Sequence, residues 1–475
     1  MNRNNFWIHF CIAVIVIAFA AVLGQIRLWQ SKPFFSSNTT TKSTPKPIAP
    51  KRSISDREPE VLVKFRPNVS LAEIRKIVEK NNDRIEDRLE IVKGLTAIDD
   101  LDNKDKEIVA AQYRQMSDVV LYAEPNFEIN LDDPANFSTS DALFRESPLS
   151  ANLPNDPMFK DQWALDNSGQ SGGKAKADIS AVLAWAVNKG SSDVVVAVLD
   201  SGVDYRHKDL AANMWIRPDN VPQYKDDELG TINDTYGFNA ADNQSDPMDD
   251  NGHGTHCSGI IGAEGDNDEG IAGINWNVQI MPLKFMGRGG FGTTKDAIEA
   301  INYAIDRKRN GVNVRVINAS WGSTMYSKAL EDAIRAAGEE GILFVAAAGN
   351  NGSSNDRSPH YPSNYDLPNV ISVAALDRSD DLASFSNFGV KTVHVAAPGK
   401  EILSTWLGDD YREASGTSMA TPYVAGVAAL ILAQEPKLSV EKLRERVLKS
   451  VDKLDALKGK VENGGRINAA KALGN

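Results

Sequence analysis

Val194-Val195-Val196-Ala197-Val198-Leu199 runs directly into Asp200-Ser201-Gly202, and this junction decides the fold. The run is short and rich in β-branched residues, the composition of a strand buried on both faces. Similar runs follow at Val278–Phe285, Val314–Ile317, Ile342–Ala347 and Val370–Ala374. Helical stretches alternate with them at Thr293–Arg309, Ser327–Glu340 and Thr417–Gln434. Such alternation predicts an α/β domain with a mostly parallel central sheet covered by helices. Ligands of these sheets gather at the carboxyl ends of the strands, where Asp200 stands.

Two further segments set polar residues among glycines. His253 lies in Asn251-Gly252-His253-Gly254-Thr255-His256, ahead of Ile260-Ile261. Glycines on both sides let another backbone come close. Ser418 lies in Gly416-Thr417-Ser418-Met419-Ala420-Thr421-Pro422, ahead of the apolar stretch Val424–Leu432. Pro422 is expected in the first turn of that helix, where proline is tolerated. Ser418 then sits at a helix N-terminus, which favours developing negative charge. Acyl transfer needs these residue types together. A serine hydroxyl is a poor nucleophile until a histidine takes its proton, and a carboxylate fixes the histidine tautomer and stabilises the imidazolium. Alone, Asp-Ser-Gly reads as a turn and a buried histidine as structural. Jointly, each in its own glycine-marked setting, they predict a triad of Asp200, His253 and Ser418.

The chain of 475 residues has room for two domains and linkers. Arg3 precedes a run from Phe6 to Leu23 broken only by His9. That pattern reads as an export signal over residues 1–29, either cleaved or kept as a membrane tether through residues 6–23. Residues 30–58 are rich in Ser, Thr, Pro and Lys and form a linker that cannot bury enough surface to order itself. From 59 to 131 a compact α+β pattern appears. Val61–Phe65, Ile91–Ile98 and Val119–Ala123 read as strands, and the stretches from Leu71 and from Glu107 read as helices. A Ser/Pro/Asn-rich link at 132–152 leads to the α/β domain at 153–475. Net charge is −12, and because residues 1–58 are basic, the remainder is more acidic still. This excludes nucleic acid as a partner class. Cys11 and Cys257 lie in unlike segments and are not expected to pair.

The motifs together resemble the subtilisin family of serine peptidases. They are Val198-Leu199-Asp200-Ser201-Gly202, Gly252-His253-Gly254-Thr255-His256, Ala347-Ala348-Gly349-Asn350 and Gly416-Thr417-Ser418-Met419-Ala420. Softer matches are Ala383-Ser384-Phe385-Ser386-Asn387, Ala397-Pro398-Gly399 and Gly465-Arg466-Ile467-Asn468-Ala469-Ala470. The Asp, His, Ser order is itself the subtilisin order. The resemblance implies a three-layer fold and a zymogen whose residues 59–131 are an inhibitory, chaperoning propeptide, with the maturation cut in 132–152. It implies that Asn350 supplies an oxyanion-hole amide. Ser320-Trp321-Gly322 and Ala347-Ala348-Gly349 would form the two walls of the specificity pocket, with His360 at its floor. Trp321 would either narrow that pocket or pack beneath it. With no acidic residue at the floor, large apolar or aromatic P1 side chains are the expected substrates.

The resemblance also implies structural Ca²⁺, held by Asp156, Asp209, Asn267 and the carbonyls near Glu269 and Ile271. Asn239, Asp242 and Asp246, with Asp249 and Asp250 beside them, resemble a second calcium loop of altered spacing. Expected partners are protein or peptide substrates and the chain's own propeptide, acting on a monomer that is secreted or held at the cell envelope. Competing readings are an inactive peptide-binding relative, a narrow processing protease of the envelope, and a metallopeptidase built on His253 and His256. The last lacks the glutamate of the zinc helix motif, since Thr255 stands there.

Overall fold

The computed structural model describes residues 59–131, the backbone of Ser138–Thr139, and residues 153–226 and 229–475. The apolar segment 6–23, the linker 30–58 and most of the 132–152 link lie outside the described residues.

The N-terminal unit runs β1 Val61–Phe65, α1 Leu71–Lys80, β2 Asp83–Leu89, β3 Leu95–Asp100, α2 Lys106–Arg114, β4 Val120–Pro125 and β5 Glu128–Asn130. Its antiparallel sheet has the order β2-β3-β1-β4. Strand alternation gives the sheet two working faces. Val61, Val63 and Phe65 pack under α1 and α2 with Ile74, Val78, Val109 and Tyr113. Leu62, between them in sequence, faces the other way and joins the core of the large domain. Ser70 and Glu73 form a capping box that starts α1. The strand expected at Ile91–Ile98 begins only at Leu95. Before it the chain turns through Gly94 at φ +84°, where a Cβ would lie 2.8 Å from the Phe65 carbonyl oxygen. Its neighbour β2, with the sequence DRIEDRL, carries too few apolar residues to be read as a strand.

The large domain runs β6 Gly190–Asp200, β7 Phe238–Asn239, α3 His253–Gly262, β8 Asn277–Lys284, β9 Phe291–Thr293, α4 Thr294–Arg309, β10 Val314–Ala319, α5 Lys328–Glu339, β11 Leu343–Ala347, β12 Val370–Leu376, β13 Val395–Pro398, β14 Ile402–Trp406, β15 Asp410–Ala414, α6 Thr417–Gln434, α7 Val440–Lys449, β16 Val451–Lys453 and β17 Gly465–Ile467. Nine strands form one sheet in the order β7-β8-β6-β10-β11-β12-β13-β17-β16. All neighbours are parallel except the edge pair β16–β17. One face is covered by α3 and α6 and the other by α4 and α5. The sheet is thus the middle of three layers, as the alternation of strands and helices requires. Helix α6 is long and apolar enough to cross a bilayer, yet 89% of that window is buried inside the protein. It is a core helix.

The small sheet sits on α4 and α5. Leu62, Leu95 and Ala97 share a hydrophobic cluster with Ala297, Ile301 and Ala333. Glu124 closes the start of α5, accepting from Ser327 Oγ at 2.6 Å, Lys328 N at 2.9 Å and Ala329 N at 3.1 Å. At the start of α4, Asn126 Oδ1 accepts from Lys295 N at 3.0 Å and the Phe127 carbonyl from Thr294 N at 2.9 Å. A carboxylate at a partly buried helix N-terminus is worth up to about 2 kcal/mol. Lys64 Nζ adds an ion pair to Asp332 at 2.7 Å. Each helix therefore finds acceptors for its first N–H groups on the N-terminal unit.

Candidate active site

Asp200 is the last residue of the central strand β6, and His253 is the first of α3. Both are buried, and His253 Nδ1 lies 2.7 Å from Asp200 Oδ1. The same carboxylate oxygen accepts from Ser201 N at 2.7 Å. Two glycines make the approach of α3 possible. Gly252 has φ +107°, and a Cβ there would meet Trp406 at 2.4 Å. A Cβ on Gly254 would meet the Gly202 carbonyl oxygen at 2.1 Å.

A second buried carboxylate holds this helix start. Asp249 Oδ1 accepts from Ser201 Oγ at 2.9 Å, Asn251 N at 2.9 Å and Gly252 N at 3.0 Å. Its Oδ2 accepts from Thr255 N at 3.0 Å and Thr255 Oγ1 at 2.6 Å. Ser201 Oγ in turn accepts from Gly254 N at 3.0 Å. Asp249 thus ties the end of β6 to the first turn of α3, on both sides of His253. Burial pushes its carboxyl above the usual range, and the hydrogen bonds oppose that rise. The sequence hid it among Asp246, Asp249 and Asp250, where all three read as one acidic loop. Asp250 is also spent elsewhere, paired with Lys284 Nζ at 2.6 Å.

Ser418 is the second residue of α6 and is buried. Its carbonyl oxygen accepts from Ser320 Oγ at 2.8 Å and lies 3.6 Å from Cys257 Sγ. Cys257 is one turn beyond His253 on α3, and its sulfur lies within 4.8 Å of ligand atoms of both Asp200 and His253. Ser418 is thereby brought to the His253 end of the site. Pro422 is the sixth residue of α6, not in its first turn as the sequence suggested. The physical reason is local. A residue with an N–H there would donate to the Ser418 carbonyl; proline has none, and the Ser320 hydroxyl takes that acceptor. The Ser418 N–H belongs to the first turn, which has no intrahelical acceptor.

Asn350 follows β11 and is oriented by the residue before Ser418. Its Oδ1 accepts from Thr417 N at 2.8 Å and Thr417 Oγ1 at 3.1 Å. With that oxygen held, donation falls to Nδ2. Trp321 is fully buried, donates Nε1–H to the Leu199 carbonyl at 2.8 Å and packs on Phe285. Its side chain packs in the core on the α4 and α5 face of the sheet. Ala347 and Ala348 are buried, and Gly349 N donates to Thr417 Oγ1 at 3.1 Å. His256 is buried with Nε2 3.0 Å from the carbonyls of Ile402 and Arg412. Burial drives it down to about 3, and its Nε2 is spent on those two carbonyls. Cys257 is buried, with its thiol turned to the Ser418 carbonyl.

A strand of the N-terminal unit pairs with the large domain. β5 pairs antiparallel with β9, Glu128 opposite Thr293, Ile129 opposite Gly292 and Asn130 opposite Phe291. Asn130 also bridges Gly322 on the other side, and Leu131 N donates to the Gly290 carbonyl at 3.0 Å. The strand Phe291–Thr293 was missed in the sequence, being three residues with a central glycine whose partner lies far away along the chain.

Asp209 and Asp156 meet beneath the other end of α3. Asp209 Oδ1 accepts from Asn267 Nδ2 at 2.9 Å, and Oδ2 from Ile271 N at 2.9 Å and Tyr411 OH at 3.1 Å. Asp156 Oδ2 accepts from Asp266 N at 2.8 Å, while its Oδ1 is buried without a protein partner. Burial raises Asp209 to about 7 and Asp156 to about 6. Two crowded carboxylates and an orphaned buried oxygen fit a hard cation. Asn267 Oδ1 accepts here from Glu269 N at 2.9 Å, so liganding a cation through it requires the amide to turn. Asn239, Asp242 and Asp246 also converge, with Asn239 Nδ2 3.1 Å from Asp242 Oδ2 and from the Asp246 carbonyl.

Comparison with known proteins agrees with this fold. Residues 191–468 match the model of the Subtilase family. The chain is 35% identical over 422 residues to the thermophilic serine proteinase of Bacillus sp. (strain AK1), covering 87% of each chain. That match is longer than the segment 153–475 and so extends into the N-terminal unit. It is 37% identical over 320 residues to thermitase of Thermoactinomyces vulgaris, covering 67% of this chain and 99% of that protein. In fold it resembles fervidolysin of Fervidobacterium pennivorans, with a TM-score of 0.68 at 24% identity over 88% of this chain and 61% of that one. The chain belongs to the subtilase family and is a serine endopeptidase.

Proposed function

We propose that Asp200, His253 and Ser418 are the catalytic triad of a zymogen, with Asn350 and the Ser418 N–H as the oxyanion hole. The 2.7 Å contact of His253 Nδ1 with Asp200 Oδ1 carries the reading. That contact fixes the tautomer that leaves Nε2 as the base. Ser418 Oγ attacks the substrate carbonyl carbon and passes its proton to His253 Nε2. The oxyanion is met by Asn350 Nδ2 and the backbone N–H, a contribution of roughly 10²–10³ in kcat for one such donor in subtilisin. Collapse breaks the C–N bond, and the amine leaves with the proton from His253. Water, giving its proton to the same imidazole, then hydrolyses the acyl-enzyme. The burial of Asp200 and the seating of Ser418 at a helix start support these roles.

Residues 59–131 act as propeptide and inhibitor. Their strand β5 supports this, since it occupies the cleft by β-augmentation between Gly290–Thr293 and Gly322. Asp156, Asp209, Asn267 and the backbone near Glu269 and Ile271 hold a structural Ca²⁺ that binds only the folded state and so stabilises it. Asn239, Asp242 and Asp246 form a second, weaker site. The protein is exported, as the N-terminal apolar run indicates, and a similar protein from Natrialba magadii is named an extracellular serine protease. Ser418→Ala tests the core of this account. It should abolish peptide cleavage and leave an uncut precursor, and self-processing by that variant expressed alone would refute the assignment.

A further inference from the structure

Helix α4 carries a buried carboxylate at its contact with the N-terminal unit. Glu299 is 2% exposed, and neither of its carboxylate oxygens receives a hydrogen bond. Lys295, one turn earlier on α4, is turned elsewhere, with Nζ 3.6 Å from Asp87 Oδ2 and 3.4 Å from Asn243 Oδ1. Asp87, on β2, is the polar group set against Glu299, and an ionised carboxylate has no proton to give it. Burial first and Asp87 second push the Glu299 carboxyl well above the usual range. A buried charge in such surroundings calls for a bound proton or a bound cation.

The neighbouring side chains decide between the two. One ligand oxygen each from Glu90, Asp226 and Glu299 lie within 4.8 Å of one another. Oxygens that bind calcium at 2.3–2.6 Å stand at most about 5 Å apart across the ion, so these three fit one coordination shell completed by water. Glu90 and Asp226 keep their hydrogen bonds in that arrangement. Asn302 Nδ2 donates to Glu90 Oε2 at 2.6 Å, and Leu229 N donates to Asp226 Oδ1 at 2.7 Å. A carboxylate has about four lone-pair sites, and these donors orient the two groups toward the site. A proton shared with Asp87 would serve one oxygen of Glu299 and leave the other as it is. Glu90 is exposed, which gives an ion its way in.

The three carboxylates come from both sides of one interface. Glu90 follows β2 of the N-terminal unit, while Asp226 and Glu299 belong to the large domain. The set is complete only while the two are docked.

We propose that Glu90, Asp226 and Glu299 bind a divalent cation, calcium by its ligand chemistry, and that this ion clamps residues 59–131 onto the large domain. The site is separate from the one at Asp156 and Asp209. Its consequence for activity rests on the reading of residues 59–131 as an inhibitor. An ion that binds only the docked state tightens docking by mass action. With the Kd of roughly 0.1–1 mM typical of extracellular calcium modules, about 10 mM calcium tightens it roughly ten- to a hundredfold.

The test counts ions on the full chain. Equilibrium dialysis with radioactive calcium is run on Ser418→Ala and on the same protein with Glu90→Gln, Glu299→Gln or Asp209→Ala added. Glu90→Gln and Glu299→Gln should each lose one ion, and Glu90→Gln combined with Asp209→Ala should lose two. Glu90 is exposed, so its replacement leaves the core intact even where Glu299→Gln disturbs folding. In the active background, raising calcium from zero to about 10 mM should delay the appearance of peptidase activity roughly tenfold or more, and Glu90→Gln should remove most of that delay. Full calcium stoichiometry in folded Ser418→Ala/Glu90→Gln would overturn the site, the Glu299 charge then being met by a proton. An ion lost in Glu90→Gln with the calcium-dependent delay unchanged would uphold the site and overturn the clamp, and with it the inhibitor reading on which the clamp rests.

Discussion

Asp249→Asn isolates the role of the second buried carboxylate. The substitution keeps the shape and the oxygen that accepts from Ser201 Oγ, Asn251 N and Gly252 N. It turns an N–H₂ toward Thr255, whose backbone N–H and hydroxyl both donate to Asp249 Oδ2. The hydroxyl can rotate; the backbone N–H cannot. One buried donor is left unsatisfied, a cost of roughly 1–3 kcal/mol, and the first turn of α3 is pushed away from the end of β6. His253 rides on that turn, so its reach to Ser418 worsens. A shift of an ångström at a reacting group costs up to about a hundredfold. Urea unfolding in the Ser418→Ala background, where autolysis is removed, should show the midpoint falling accordingly. In the active background kcat should fall roughly ten- to a hundredfold with KM little changed, because the substrate-binding strands are untouched. An Asp249→Asn protein with wild-type midpoint and wild-type kcat would refute the idea that this carboxylate positions His253.

Calcium removal should make stability depend on pH. Asp209 and Asp156 are raised to about 7 and about 6 in the metal-free fold, so the folded state takes up protons. Their contribution is fully present below about pH 4, the ordinary carboxylate value, and is lost as pH rises through 6 and 7. With chelator, Tm of the Ser418→Ala protein should fall across that window; with calcium it should not, and Asp209→Ala should remove the difference. A Tm indifferent to chelator at pH 8 would dismiss the site. Added segment 59–131 should inhibit the mature enzyme competitively, and Glu124→Ala should weaken that inhibition roughly ten- to a hundredfold through the three hydrogen bonds it loses at α5. Absence of inhibition by the unaltered segment would leave it only a tethering role.

The parallel sheet was legible because its strands are continuous β-branched runs set off by helices with caps. Elements whose identity depends on a distant partner were not. β2 is charged along most of its length and is a strand only because β3 pairs with it. β9 is three residues with a central glycine, defined by a strand from the N-terminal unit. Asp249 looked like its acidic neighbours, since nothing local distinguishes a carboxylate that caps a helix from one that faces solvent. Trp321 could be read two ways until the Leu199 carbonyl beneath it was seen to accept its N–H. His360 was singled out by motif, but the close approach of its ring to Gly322 and Gly349 is supplied only by the fold.

The central claim is that Ser418 is the nucleophile that frees this enzyme from its own N-terminal unit. Intact mass and N-terminal sequencing of the wild-type and Ser418→Ala proteins, each recovered from the compartment to which it is exported, test it most directly. The account predicts a wild-type product that begins between residues 131 and 156, and a Ser418→Ala chain that still carries residues 59–131 uncut. The same cut found in both proteins, with no other peptidase present, would contradict it.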